Sequence, residues 1–176
     1  MAGPGDLYDL AAEYLAACEV ALAGSPGGSI PGGRVSPGPP AIDCVPFLAV
    51  YAGGPSEGDT QPLQPPLALG HRADYGIQVH LLNVTAVVAR CLPSVSDGGV
   101  FPSPAEMSTV AVETTGDLWA IWNVVKQQYV AGTLFPPYGG RLRELFFDPA
   151  VPLPWAQDAV GWQIPLRVQL AGYDAP

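Results

Sequence analysis

Apolar residues recur at helical spacing near the start of the chain. Leu7, Leu10, Ala11, Tyr14, Cys18 and Leu22 fall on one stripe, which predicts a helix over about 6–23. Asp6 is placed to cap it, Asp9 puts negative charge in its first turn, and Gly24 and Pro26 end it. A longer stripe runs through Met107, Val110, Ala111, Thr114, Leu118, Ile121, Trp122, Val125 and Tyr129. It predicts a helix over about 103–132, opened by the capping box Ser103-Pro104-Ala105-Glu106 and closed by Gly132. Gly116 interrupts this stripe at a cost of roughly 1 kcal/mol against alanine, which predicts a kink or two shorter helices.

Elsewhere the period is two. The clearest strand is predicted over about 76–92, with Ile77, Val79, Leu81, Asn83, Thr85, Val87, Ala89 and Cys91 on one face. Gln78, His80, Leu82, Val84, Ala86, Val88 and Arg90 take the other, and the middle is apolar on both faces. That suits a central strand covered on both sides there, or one buried partly by oligomerisation. Further strands are predicted over about 44–52, 141–148 and 160–173, with one short piece near 33–36. Pro46 cannot donate to a ladder, so it belongs at a strand start or on an edge. The expected fold is a single α+β domain over residues 1–176, a mainly antiparallel sheet of four to five strands with two helices packed on one face. Long Pro/Gly-rich loops connect the elements. The longest, 52–75, is stiffened by Pro55, Pro62, Pro65 and Pro66 and reads as an arm for contacting another chain.

Composition sharpens this picture. The chain holds 21 glycines and 21 prolines, just under the roughly 25–30% level of low-complexity chains. Yet 48% of its residues are hydrophobic and only 13% are charged, against about 25% in an average domain. Disordered chains have the opposite bias. Seven cations face sixteen acids, for a net charge of −9. The cations (Arg34, Arg72, Arg90, Lys126, Arg141, Arg143 and Arg167) form no stripe that could release phosphate counterions. Sequence-specific nucleic-acid binding and adhesion to an anionic membrane are therefore not expected. No apolar run approaches the ~20 residues of a membrane span, and Met1–Asp6 lacks the basic region of a signal peptide. Three cysteines, Cys18, Cys44 and Cys91, fit buried thiols better than a disulfide framework.

Candidate chemistry is sparse. His71 and His80 have no partner at metal-ligand spacing, and no cofactor or metal is expected. Cys44 and Cys91 read as structural thiols, with no base positioned to activate either. The runs Gly24–Gly28 and Gly32-Gly33 lack the Lys-Ser/Thr of a phosphate loop and follow a helix rather than a strand. Asp43, Glu57, Asp59 and Asp74 lack calcium-loop order. No catalytic residue is assigned. Among the aromatics, Trp122 belongs to the core stripe, while Trp119 falls off it and suits an interface anchor. Trp155 lies in a loop and suits inter-chain packing. The candidate subunit or partner interface is thus Pro62, Leu63, Pro65, Pro66, Trp119 and Trp155.

Four stretches together resemble a family encoded among the head–tail joining genes of long-tailed, siphovirus-type actinobacteriophages. They are Ser36-Pro37-Gly38-Pro39-Pro40-Ala41-Ile42-Asp43-Cys44, Gly116-Asp117-Leu118-Trp119-Ala120-Ile121-Trp122-Asn123, Glu144-Leu145-Phe146-Phe147-Asp148-Pro149 and Gly161-Trp162-Gln163-Ile164-Pro165-Leu166-Arg167-Val168. The order of elements is similar to that of tail terminator proteins. The resemblance implies a structural virion protein without catalysis, assembled in the host cytoplasm and located at the head–tail interface. It implies a homo-oligomeric ring, a hexamer, that caps the tail tube, meets the head-completion (stopper) protein and lets genome DNA pass. The loops at 24–40 and 52–75 are longer than a minimal domain of this kind needs. Two other neck positions, stopper and adaptor, stay open. So do a small hydrolase using Asp43, Glu57, Asp59 or Asp74 and a carbohydrate-binding module presenting Trp155.

Overall fold

A computed structural model describes residues 4–41, 46–53, 79–93, 101–136, 142–153 and 159–171. The elements run α1 (Pro4–Ala23), β1 (Arg34–Ser36), β2 (Phe47–Gly53), β3 (Val79–Cys91), α2 (Pro104–Val130), β4 (Leu142–Phe147), β5 (Val151–Pro152) and β6 (Ala159–Ala171). They form an α+β fold with one six-stranded sheet in the order β1-β2-β3-β6-β4, and β5 adds to β6. Among the described residues, no helix is long and apolar enough to cross a membrane.

The period-two pattern of β3 decides what lies on each side of this sheet. Leu82, Val84, Ala86 and Val88 join Leu48 and Val50 of β2 and Ile164, Leu166, Val168 and Leu170 of β6 in the main core. Both helices close over that face. Leu10, Tyr14, Cys18 and Leu22 of α1 and Leu118, Ile121 and Val125 of α2 belong to the same core. The buried Tyr14 hydroxyl donates to the Ile164 carbonyl at 3.1 Å, tying α1 to β6. Burial pushes both the Tyr14 hydroxyl and the Cys18 thiol far up from their ordinary pKa values, which leaves Cys18 an inert core thiol. On the opposite face Val87, Ala89, Leu153 and Ala159 form a second small core, with Phe47 and Tyr51 packed against it. The central strand is thus covered on both sides where its sequence is apolar on both sides.

The sheet differs from the sequence expectation in two respects. It is mixed, because β1 pairs parallel to β2 while the other pairs are antiparallel. It also has six strands rather than four or five, since the connection between the strands expected at 141–148 and 160–173 contains β5, whose Val151 and Pro152 pair with Gln163 and Trp162. A strand of two residues is too short for a period to register, whereas β1 falls on the short piece expected near 33–36. Pro46 stands immediately before β2, where its missing N–H costs nothing.

The helices bring corrections as well. Because α1 begins at Pro4, Asp6 is an interior first-turn residue and not the cap. In α2 the capping box is complete: the Ser103 hydroxyl accepts from the Glu106 N–H, and the Glu106 carboxylate accepts from the Ser103 N–H at 2.7 Å. These bonds hold the Glu106 carboxyl below its ordinary pKa. Met107, assigned to the stripe, is exposed. Gly132 follows the C-cap at φ +69°, where glycine is favoured. The chain then turns through Phe135, at φ +54°, and drives Leu134 and Phe135 into the core. Burial of that aromatic ring offsets a backbone cost of about 1–2 kcal/mol.

Gly116 does not break α2, which runs unbroken for 27 residues. The absent side chain makes room: a Cβ there would lie 2.6 Å from Cδ of Pro26, in the turn after α1. Gly116→Ala is therefore expected to lower stability by about 1 kcal/mol, against the roughly 1 kcal/mol gain that helix propensity alone would bring. Thermal melts of Gly116→Ala with and without Pro26→Ala check this. The second change should restore the propensity gain, and a stabilised single variant would remove Pro26 as the reason for the glycine.

Candidate subunit interface

The rotation of α2 about its own axis is set by charge as well as by its apolar stripe. Arg90 lies on the helix-covered face of β3, in line with Val84, Ala86 and Val88. Its guanidinium meets Asp117 of α2, with Nε donating to Oδ2 at 2.9 Å and Nη2 to Oδ1 at 3.1 Å. Asp117 is 0% exposed and also accepts from the Ser25 hydroxyl at 2.7 Å. Arg90 Nη2 donates further to the Gly28 carbonyl at 2.7 Å, and a Cβ on Gly27 would strike the guanidinium. One buried cation and one buried anion thus bind β3, α2 and the turn after α1 at a single point. One turn earlier in α2, the Trp162 indole donates to the Thr114 carbonyl at 3.0 Å.

With Asp117 facing inward, a residue two positions on must face away, because successive helical residues turn by about 100°. That residue is Trp119, which is 55% exposed. Trp122, one turn further, is half-buried and meets Trp119 edge to face, with ring centroids 5.5 Å apart. Together with Asn123 and Lys126 they form one wall of a groove of about 480 Å³. Phe147, Asp148 and Pro149 form the other. Phe147 ends β4, the outermost strand on this side of the sheet, with β6 as its pairing partner. Asp148 is held by Arg167, whose Nη2 and Nε donate to Oδ1 at 2.7 and 3.0 Å, and Arg167 lies over the Phe146 ring. This wall is therefore braced from the sheet. The Trp122 indole N–H is buried and has no acceptor among the described residues.

Further large apolar side chains are exposed toward the start of α2. Phe101 is 79% exposed, and Met107 and Val112 are also exposed. Twelve residues separate Met107 from Trp119, which is about 18 Å along a helix. In this half Val110 is buried while the residues around it face outward, so the helix overhangs the sheet.

Of the six interface residues expected from sequence, Trp119 lies on the groove. Pro62, Leu63, Pro65, Pro66 and Trp155 lie outside the described residues, as do Asp43, Cys44, Glu57, Asp59, His71 and Asp74. Trp122, assigned to the core, contributes one edge to the core and also lines the groove. Sequence reasoning missed Phe147 and Lys126 as groove residues, and it missed the Arg90–Asp117 pair. The pair did leave a signal: opposite charges at inward positions of two elements, Arg90 in phase with Val88 and Asp117 beside Leu118. Among the described residues no group of three His, Cys, Asp or Glu side chains could hold a metal ion. No protein-family model matches the chain, and no curated protein matches it in sequence.

Proposed function

We propose that this chain is a structural subunit of the neck of a long-tailed phage. In this reading it is a tail terminator, without catalysis, whose copies close into a ring of six on the tail tube and meet the head-completion protein. The observation that carries the reading is the set of large apolar side chains left exposed on more than one face of α2 and beside it. Trp119 and Phe147 line a groove beside the outermost strand β4, while Phe101, Met107 and Val112 are exposed near the start of the helix, with Met107 about 120° round the helix from Trp119. A ring is built from heterologous contacts, in which each subunit offers one patch to the neighbour on its left and a different one to its right. Large apolar side chains left in water on two separate surfaces suit that arrangement. The helices on a single face of the sheet and the four-stretch resemblance point the same way. An acidic ring wall would also let DNA slide past without phosphate contacts.

Native mass measurement and particle imaging test this. A ring of six, found between head and tail in purified virions, is the expected result. A ring of twelve would move the chain to the adaptor position. A strict monomer missing from purified virions would refute the reading.

A further inference from the structure

Besides its core stripe, α2 carries a row of residues on its outer face. Ala105, Ser108, Val112 and Thr115 follow one another at steps of three and four, and all are exposed. The same steps continue through Trp119, Trp122, Lys126 and Tyr129, which are exposed or half-buried. Alternating steps of three and four form the seam of paired helices. A straight helix drifts by about 20° per heptad against such a row, so over little more than three heptads the row stays on one face. Val110 and Asp117 lie on the opposite side of the helix and are buried. The seam thus faces outward along nearly all of α2.

Its two halves are unlike. Residues 104–115 present small side chains and carry Glu106 and Glu113, with no cation. With Pro26 they line a groove of about 410 Å³. Residues 118–130 present bulky side chains and carry Lys126, with no acid. Lys126 makes no ion pair among the described residues.

These halves fit each other when α2 runs antiparallel to a copy of itself. A two-fold axis beside residue 117 sets Trp119 against Thr115 of the other copy, and Trp122 against its Val112. The same axis sets Lys126 against Ser108 and Tyr129 against Ala105. Every large side chain then meets a small one, as close packing across a seam requires. Glu106 and Glu113 of one copy flank Lys126 of the other. A parallel pair would instead stack Trp119 on Trp119 and Lys126 on Lys126. Copies with a net charge of −9 repel each other, and the only cation of α2 lies at this contact. A patch that complements itself under a two-fold axis marks an isologous contact, so a second copy is the occupant this order of residues selects.

We propose that two copies of this chain pair through an antiparallel contact of α2 along the seam from Ala105 to Tyr129. The pairing does not rest on the neck reading. A ring closes through heterologous contacts, whereas this contact is two-fold. Trp119 serves both, so a paired subunit is held back from the ring.

Sedimentation equilibrium of the full-length chain over a dilution series tests the pair, and a monomer–dimer equilibrium is expected. Trp119→Ala should raise the dissociation constant at least about tenfold. Val112→Trp, which fills the small half, and Lys126→Glu should raise it as well. All three residues are exposed, so circular dichroism of the variants should match the parent. Orientation is read by cross-linking. Ser108→Cys and Lys126→Cys proteins, mixed and oxidised, should form a disulfide-linked dimer above the background of the parent chain. Ser108→Cys alone should not, because antiparallel helices hold the two copies of residue 108 about 27 Å apart.

A monomer at every concentration overturns the proposal. So does a dimer that Trp119→Ala leaves intact, or one that Ser108→Cys alone cross-links. A ring in solution without the mixed cross-link overturns this proposal and leaves the neck reading standing. A cross-linked dimer that is missing from purified virions supports the pair and refutes the neck reading alone.

Discussion

Asp117→Ala is expected to destabilise the fold by about 3–5 kcal/mol, because it leaves the Arg90 guanidinium buried without its counter-ion. Asp117 is fully buried and the Arg90 side chain is 8% exposed, so little water could replace the lost carboxylate. Arg90 would keep its bond to the Gly28 carbonyl and lose both bonds to Asp117, and the Ser25 hydroxyl would lose its acceptor. The cost is that of an orphaned charge, not the net worth of the pair. The double variant Arg90→Met/Asp117→Leu, which removes both charges and keeps apolar volume, should therefore recover most of the loss. Urea unfolding of the three proteins measures this. A single variant within about 1 kcal/mol of the parent would mean that solvent reaches Arg90 after all. Because the pair also fixes the rotation of α2, Asp117→Ala should alter the emission of Trp119, whose exposure depends on that rotation.

Gly161→Ala is the second large effect, through backbone geometry and not charge. Gly161 of β6 pairs directly with Ala89 of β3, near one end of the longest ladder in the sheet. A Cβ on Gly161 would overlap the Val88 carbonyl oxygen and lie 2.7 Å from Cα of Ala89. Neither obstructing atom can turn aside as a side chain would, so β3 and β6 must separate locally. Gly161 also accepts the Leu153 N–H at 3.0 Å, so the strain reaches the segment that covers the second small core. A loss of about 3 kcal/mol is expected, the top of the usual range for overpacking. That corresponds to a melting temperature lower by roughly 6–12 °C for a chain of this size. A melting temperature within about 2 °C of the parent would show that the two strands can part there without penalty.

The two stripes and the period-two runs already located both helices and the four longer strands, because one buried face repeats every 3.6 or 2 residues whatever the partner. The double apolar centre of β3 likewise marked it as the strand covered from both sides. The short strand β1 was expected near 33–36, but its parallel pairing was not, and β5 escaped, since two residues carry no period. Gly116 was legible as an exception to helix propensity but not as a packing requirement, because Pro26 lies ninety positions away in the chain. Trp119 was legible as an outward-facing residue by its phase on the helix. Phe147 and Lys126 were not, because only the packing of α2 across β6 toward β4 brings them beside it.

The sequence by itself determined the α+β class, the extents of the main elements, the capping box of α2 and the outward phase of Trp119. Each depends on neighbours within a turn or a strand. Only the tertiary structure decided that Arg90 and Asp117 neutralise each other, that Gly116 and Gly161 are sites of close approach, and that Trp119, Trp122 and Phe147 line one groove. Those facts depend on contacts between residues 25 to 90 positions apart, whose spacing leaves no periodic trace in the chain.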